Sequence, residues 1–181
     1  MATAITSNPT NERRRETGKT SRTDARRAIP PRPEGRGIPR KMMNEEALEN
    51  LVRIHKLHHE AVDANEVQGL IQSGNVRLRD AGLEALSQES RFDLSYNAAH
   101  ALSLAALRHF GYRSDNRYLV FQCLQHTLDL SPAKWRVLDQ AHRKRNLAEY
   151  EGDIDVDAAL VTSLMEITEE IRRAVVALTT G

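Results

Sequence analysis

The sequence predicts an all-α protein, an up-and-down four-helix bundle with one or two extra short helices. Apolar side chains recur every three or four residues between positions 44 and 178, which is the spacing of one helix face. Asparagine, serine or aspartate stands before several of these segments, where such residues cap helices. No segment alternates apolar and polar residues, so we expect no strands.

Three helices are predicted in the first half of the domain. The first covers residues 44–61, with Asn44 as its N-cap. The second covers residues 66–86 and contains two glycines, which we expect to weaken it. The third covers about 91–110 and is apolar on nearly every side, so we expect it to be buried among its neighbours.

Polar exceptions interrupt the third helix at Tyr96, Asn97 and His100. A buried tyrosine usually has its hydroxyl hydrogen-bonded to a neighbouring element, and we expect this of Tyr96. We expect His100 to be a hydrogen-bonded core residue rather than a catalyst.

In the second half of the chain, the sequence predicts one short helix and two long ones. The short helix covers residues 116–128. A long helix begins at Ser131-Pro132, because serine is a good N-cap and proline fits the first helical position, and it ends near Gly152. The last helix covers about 156–178 and has one clean apolar stripe: Leu160, Leu164, Ile167, Ile171, Val175 and Leu178.

Composition excludes several classes of protein. The chain has 181 residues, of which 40% are apolar, and this is enough for one globular domain with a core. Its single cysteine, Cys123, excludes a disulfide framework and a cysteine zinc cluster. No apolar run approaches the roughly 20 residues of a membrane helix, and no signal peptide is visible, so we expect no membrane contact and a cytoplasmic location.

Charge divides the chain into a basic arm and an acidic body. Residues 1–41 hold eleven Lys and Arg against four Asp and Glu, and the remaining residues hold fifteen against twenty-one. We predict a disordered basic arm over 1–42 and a helical domain over 43–181. The arm is either a tether that contacts nucleic-acid phosphates or the translation of an upstream start, with the native start at Met42 or Met43.

Three histidines, His55, His58 and His59, have a spacing that could bind a metal ion. No cysteine and no clear acidic partner accompanies them, so solvated histidines on a half-exposed helix are the favoured interpretation. We predict no metal site and no cofactor.

The helix that follows Ser131 concentrates the polar residues that could do chemistry. Offsets of three, four, seven and eight residues place five of them on one face: His142, Arg145, Asn146, Glu149 and Tyr150. A solvated face with Glu–Arg pairs is the ordinary alternative, but asparagine and tyrosine are not typical solubilising choices.

Two segments, SYNAAHALSLAALRHFGYR and AHRKRNLAEYEGD, resemble the HEPN domain family, and the resemblance covers residues 43 to about 178. These are small all-α bacterial proteins of toxin–antitoxin, phage-defence and RNA-processing systems, and many are metal-independent ribonucleases. In the family, two copies of an arginine–polar–histidine motif meet at a dimer interface. The resemblance therefore implies a homodimer, an RNA substrate and a nucleotidyltransferase-type antitoxin as partner.

Arg145 and Asn146 match the first two positions of the family motif, but Tyr150 stands where the family has histidine. Metal-free RNA cleavage needs a base for the 2′-hydroxyl, a proton for the leaving oxygen and positive charge for the phosphate. Tyrosine, with an ordinary pKa of about 10, is a poor unassisted base at neutral pH. His142, one turn before Arg145, and Glu149 are the available substitutes.

Two hypotheses follow from the resemblance. In the first, the protein is a metal-independent endoribonuclease, a toxin or defence component whose catalytic residues act across a dimer. Those residues are Arg145, Asn146, Tyr150 and His142. Arg145 and Arg143 then bind phosphate, with Glu149 and Asp139 in support. In the second, the protein is a non-catalytic HEPN module that binds RNA, a nucleotide or a partner protein. A helical protein–protein scaffold is a third alternative.

Overall fold

The structure, a computed structural model, describes residues 40–151 and 156–180, with side chains described over 44–150 and 156–180. The predicted arm lies outside the described residues, except that residues 40–42 belong to the first helix. The fold is all-α, as predicted, with one short ribbon of strands. The elements in chain order are α1 (Arg40–Arg53), β1 (His58–His59), α2 (Ala64–Ala81), α3 (Gln88–His109), β2 (Tyr112–Arg113), α4 (Arg117–Gln122), α5 (Leu124–Thr127), α6 (Pro132–Glu151) and α7 (Ala158–Thr180).

The prediction that the chain contains no strands is wrong. β1 and β2 pair as an antiparallel ribbon in which His58 faces Arg113 and His59 faces Tyr112. Two residues on each side are too short for an alternating pattern to stand out in the sequence.

α1 starts earlier and ends earlier than predicted. Asn44 lies inside the helix instead of capping it, and its side-chain amide donates a hydrogen bond to Asp129. After Arg53 the chain turns through His55, which adopts a left-handed φ of 58°. Beyond this turn the buried side chain of Leu57 belongs to a small apolar cluster that also contains Tyr112 of β2.

Arg108 explains why the segment before α2 is not helical. Its guanidinium is fully buried and donates hydrogen bonds to the main-chain oxygens of Glu60 and Ala61, at 3.1 and 2.7 Å. It also pairs with the carboxylate of Glu66 at 2.9 Å. A helix through residues 54–61 would direct those carbonyl groups along its own axis, away from Arg108.

α3 is the central helix, buried as predicted, and packs most extensively against α2 and α7. Gly74 of α2 lies where this packing is closest, since a β-carbon there would stand 2.6 Å from Leu102 of α3. This glycine therefore permits close contact between the helices, whereas the sequence predicted only that it weakens α2. The main core contains the predicted stripe of α7 from Leu160 to Val175.

α6 begins at Pro132, as the Ser131-Pro132 signal predicted, and lies against α3, α4, α5 and α7. Within the described ranges, no helix has both the length and the apolar character that crossing a membrane requires.

Candidate functional site

The polar face of α6 meets polar side chains of α3 and α4. We call this group the His142 cluster. Its members are Asp93, Tyr96 and Asn97 from α3, Arg117 and Tyr118 from α4, and Asp139, His142, Arg143, Arg145, Asn146 and Glu149 from α6.

His142 contacts two tyrosines. Its imidazole stacks on the ring of Tyr118 with centroids 5.0 Å apart, and the ring of Tyr96 lies beside it at a tilt of 23° with centroids 6.2 Å apart. Nδ1 lies 2.8 Å from the Tyr96 hydroxyl oxygen, and Nε2 lies 3.1 Å from the amide nitrogen of Asn146. An amide NH₂ group only donates, so with this amide orientation Nε2 accepts and Nδ1 carries the proton.

Burial, the largest cause, holds the pKa of His142 below its ordinary value, and the nearby carboxylate of Asp139 opposes this shift. The positive charges of Arg117 and Arg145 lower the pKa further. His142 is therefore neutral at pH 7 and has a lone pair that can accept a proton. Burial also raises the pKa of Tyr96, which keeps its hydroxyl protonated.

Arg145 is fixed by three contacts at the edge of the cluster. Nη1 lies 2.7 Å from Asp93, Nη2 lies 3.3 Å from Glu149, and the guanidinium stacks 5.0 Å above the ring of Tyr96. The Arg145 side chain is 23% exposed, whereas those of Asp93 and Glu149 are 52% and 62% exposed. Ion pairs this exposed contribute about 1 kcal/mol or less, so an external phosphate can compete for Arg145.

Asp139 fixes the second tyrosine. Its carboxylate accepts a hydrogen bond of 2.8 Å from the Tyr118 hydroxyl and lies 3.1 Å from the guanidinium of Arg143. Arg143 is largely exposed, and it also lines a cavity of ≈ 410 Å³ between α6 and α7 together with Lys144 and Leu147.

The structure thus brings together all the predicted site residues except Tyr150. Tyr150 lies in the last turn of α6, is 90% exposed, and forms no hydrogen bond or ring contact with another described residue. In the single chain it forms no such contact with His142 or Arg145, the residues with which it was predicted to act.

Several members of the cluster were missed by sequence reasoning. The hydroxyl of buried Tyr96 is satisfied by another helix, as expected, but its partner His142 was not predicted. Asp93, Asn97 and His100 follow one another at helical spacing, and this pattern could have revealed a polar face on α3. His100 packs edge-on against Phe121 and forms no hydrogen bond with a described residue, so the expectation of a hydrogen-bonded histidine is wrong.

No group of three or more His, Cys, Asp or Glu side chains in the described part of the chain is arranged to hold a metal ion. His59 instead contacts Glu49 of α1, with Nε2 3.4 Å from the carboxylate.

No protein-family model, no curated protein and no solved structure matches this chain. Its function is therefore inferred from the cluster itself.

Proposed function

We propose that this protein is a HEPN-like, metal-independent endoribonuclease in which Arg145 binds the RNA phosphate and His142 is the base. The observation that supports this most is the placement of His142, which is hydrogen-bonded to Tyr96 and stacked on Tyr118 one turn from the cation of Arg145. Burial lowers the pKa of this imidazole, which favours the form that carries a free lone pair. General-base catalysis requires such a lone pair within reach of the proton to be removed.

The Nε2 edge of His142 is the edge that substrate can reach. The Nδ1 edge faces buried Tyr96, whereas Nε2 faces the exposed amide of Asn146. A 2′-hydroxyl that displaces this amide would donate its hydrogen bond to Nε2 in the same place. This exchange would leave the hydrogen bond between Nδ1 and Tyr96, on the buried side of His142, in place.

The reaction balances without a metal ion. His142 takes the proton of the 2′-hydroxyl, and the 2′-oxygen forms a bond to phosphorus while the bond from phosphorus to the 5′-oxygen breaks. The products are a 2′,3′-cyclic phosphate and a 5′-hydroxyl, whose oxygen takes a proton from water. Arg145 stabilises the negative charge on the non-bridging oxygens, which increases in the transition state.

Incubation of the purified protein with a mixed RNA pool in chelator tests this proposal. We expect cleavage by the unaltered protein, a loss of about 10²-fold or more in Arg145→Ala and in His142→Ala, and near-normal activity in Tyr150→Phe. Circular dichroism serves as the control for folding. Intact RNA after incubation with the folded, unaltered protein would refute the catalytic proposal.

A non-catalytic HEPN-like module that binds RNA is the second candidate. It is favoured by the exposure of Tyr150, which leaves the third motif position outside the cluster, and by the two carboxylates that already pair with Arg145. This candidate predicts RNA binding that weakens in Arg145→Ala, with no cleavage by any variant.

By the family resemblance, both candidates imply a homodimer, and the catalytic candidate also implies a nucleotidyltransferase-type antitoxin as partner. Leu147 and Tyr150 are large apolar side chains exposed about one turn apart on α6, where a second copy of the chain would cover them. Light scattering coupled to gel filtration measures the oligomeric state, and a monomer at micromolar concentration would contradict the dimer.

A further inference from the structure

Arg117 differs from the other arginines of the His142 cluster in its partner. It is the first residue of α4, is exposed, and donates from Nη1 to the side-chain oxygen of Asn97 at 3.2 Å. Arg143 and Arg145 each pair with a carboxylate, whereas Arg117 forms no ion pair with any carboxylate that the structure describes. An amide orients a guanidinium without neutralising it, so Arg117 retains its full charge toward an external anion.

The orientation of Asn97 is itself fixed. Its amide nitrogen donates to the carboxylate of Asp93 at 2.9 Å and to the main-chain oxygen of the same residue at 2.8 Å. This directs the amide oxygen toward Arg117, while the other carboxylate oxygen of Asp93 binds Arg145. Asp93 therefore connects the two guanidinium groups, directly on one side and through Asn97 on the other.

The charges of Arg117 and Arg145 both act on His142 and on Tyr96, where each lowers the pKa. The two cations are contributed by different helices, α4 and α6, and both are near the proposed base. A polyanion with one phosphate on every nucleotide can contact both of them at once.

We propose that Arg117 is a second phosphate-binding residue of this site, so that an RNA strand contacts the cluster through one phosphate at Arg145 and a neighbouring phosphate at Arg117. This inference rests on the proposed function, since it takes RNA as the ligand.

The test is the affinity for a fluorescent, single-stranded, 2′-O-methyl RNA of mixed sequence, measured by anisotropy over a range of salt concentrations. The methyl group blocks cleavage, so binding is measured alone. Arg117→Ala removes the cation, and Arg117→Lys keeps the charge. Arg53→Ala is the matched control, because Arg53 of α1 is also exposed and its Nη1 also donates to an asparagine oxygen, that of Asn50, at 2.7 Å.

We expect Arg117→Ala to weaken binding about tenfold, the effect of losing one hydrogen bond to a charged group. The slope of log affinity against log salt should fall by about 0.7, as for one phosphate contact on a single strand. Arg117→Lys should keep the slope of the unaltered protein, and Arg53→Ala should bind within about twofold of it. Thermal unfolding checks that each variant is folded.

Two outcomes overturn the inference and can be told apart. If the unaltered protein binds RNA and Arg145→Ala weakens binding, but Arg117→Ala matches Arg53→Ala, then Arg117 contacts no phosphate and the proposed function remains. If the unaltered protein does not bind RNA, then the proposed function fails and this inference fails with it.

Discussion

Replacing Asp93 by asparagine should make the protein bind RNA more tightly. Asp93 forms an ion pair with Arg145 in the free protein, with 2.7 Å between the carboxylate oxygen and Nη1. An incoming phosphate must therefore compete with Asp93 for Arg145. Asp93→Asn keeps the size and shape of the side chain and removes the negative charge. The substitution therefore tests whether the carboxylate holds the place that a phosphate takes.

The exposure of the pair sets the size of the expected effect. Because the Asp93 side chain is 52% exposed, the ion pair contributes at most about 1 kcal/mol. Removal of this competition can lower the dissociation constant for RNA by up to about fivefold. We expect a three- to fivefold gain, roughly, at low salt and a smaller gain at high salt, since salt screens an exposed charge.

The assay is the anisotropy titration with 2′-O-methyl RNA, and the control is Asp80→Asn. Asp80 of α2 pairs with Arg79 at 3.0 Å, is partly exposed like Asp93, and lies outside the His142 cluster, so its substitution makes the same change in net charge. If Asp93→Asn binds RNA no more tightly than Asp80→Asn, then Asp93 does not compete with RNA for Arg145.

Two further predictions concern stability. Arg108→Met should lower the free energy of unfolding, measured in urea, by about 3 kcal/mol, because it removes the donors of two main-chain oxygens and leaves Glu66 with fewer partners. The control, Arg79→Met, removes an exposed ion pair and should lower it by less than about 0.5 kcal/mol. Equal losses in the two variants would contradict the role of Arg108. Burial lowers the pKa of His100 from 6.5 to about 4, so between these values the unfolded chain binds a proton that the folded protein does not. The free energy of unfolding should therefore fall as the pH drops, and this residue should account for about 2 kcal/mol of the fall between roughly pH 7 and 5. His100→Gln should make the free energy of unfolding less dependent on pH in this range. An unchanged pH dependence in this variant would contradict the role of His100.

Short sequence patterns predicted the elements whose bounds depend on neighbouring residues. The Ser131-Pro132 pair predicted the start of α6, and the apolar stripe of α7 predicted both the helix and its buried face. The end of α1 could not be predicted in this way. It depends on Arg108, which binds the main-chain oxygens of Glu60 and Ala61 from 48 and 47 positions along the chain.

The candidate site was predicted only in part, because some of its contacts also join residues that are far apart in the sequence. The α6 residues share a face by periodicity alone, but Tyr96 lies 46 positions from His142 and only the fold brings the two together. Periodicity also fails to show how far along α6 the neighbouring helices extend. Tyr150 follows Asn146 by one turn on the predicted stripe, yet it remains almost fully exposed.

The distribution of carboxylates within the His142 cluster bears on the order in which RNA would contact it. The three arginines face three carboxylates, so the cluster is close to neutral before substrate arrives. Two of the carboxylates, Asp93 and Glu149, pair with Arg145, and none pairs with Arg117 among the described residues. If RNA is the ligand, its first phosphate contact falls on Arg117, where no ion pair has to break. The phosphate next to His142 then displaces Asp93 from Arg145, so Arg145 becomes available to the reacting phosphate only after the strand is already bound.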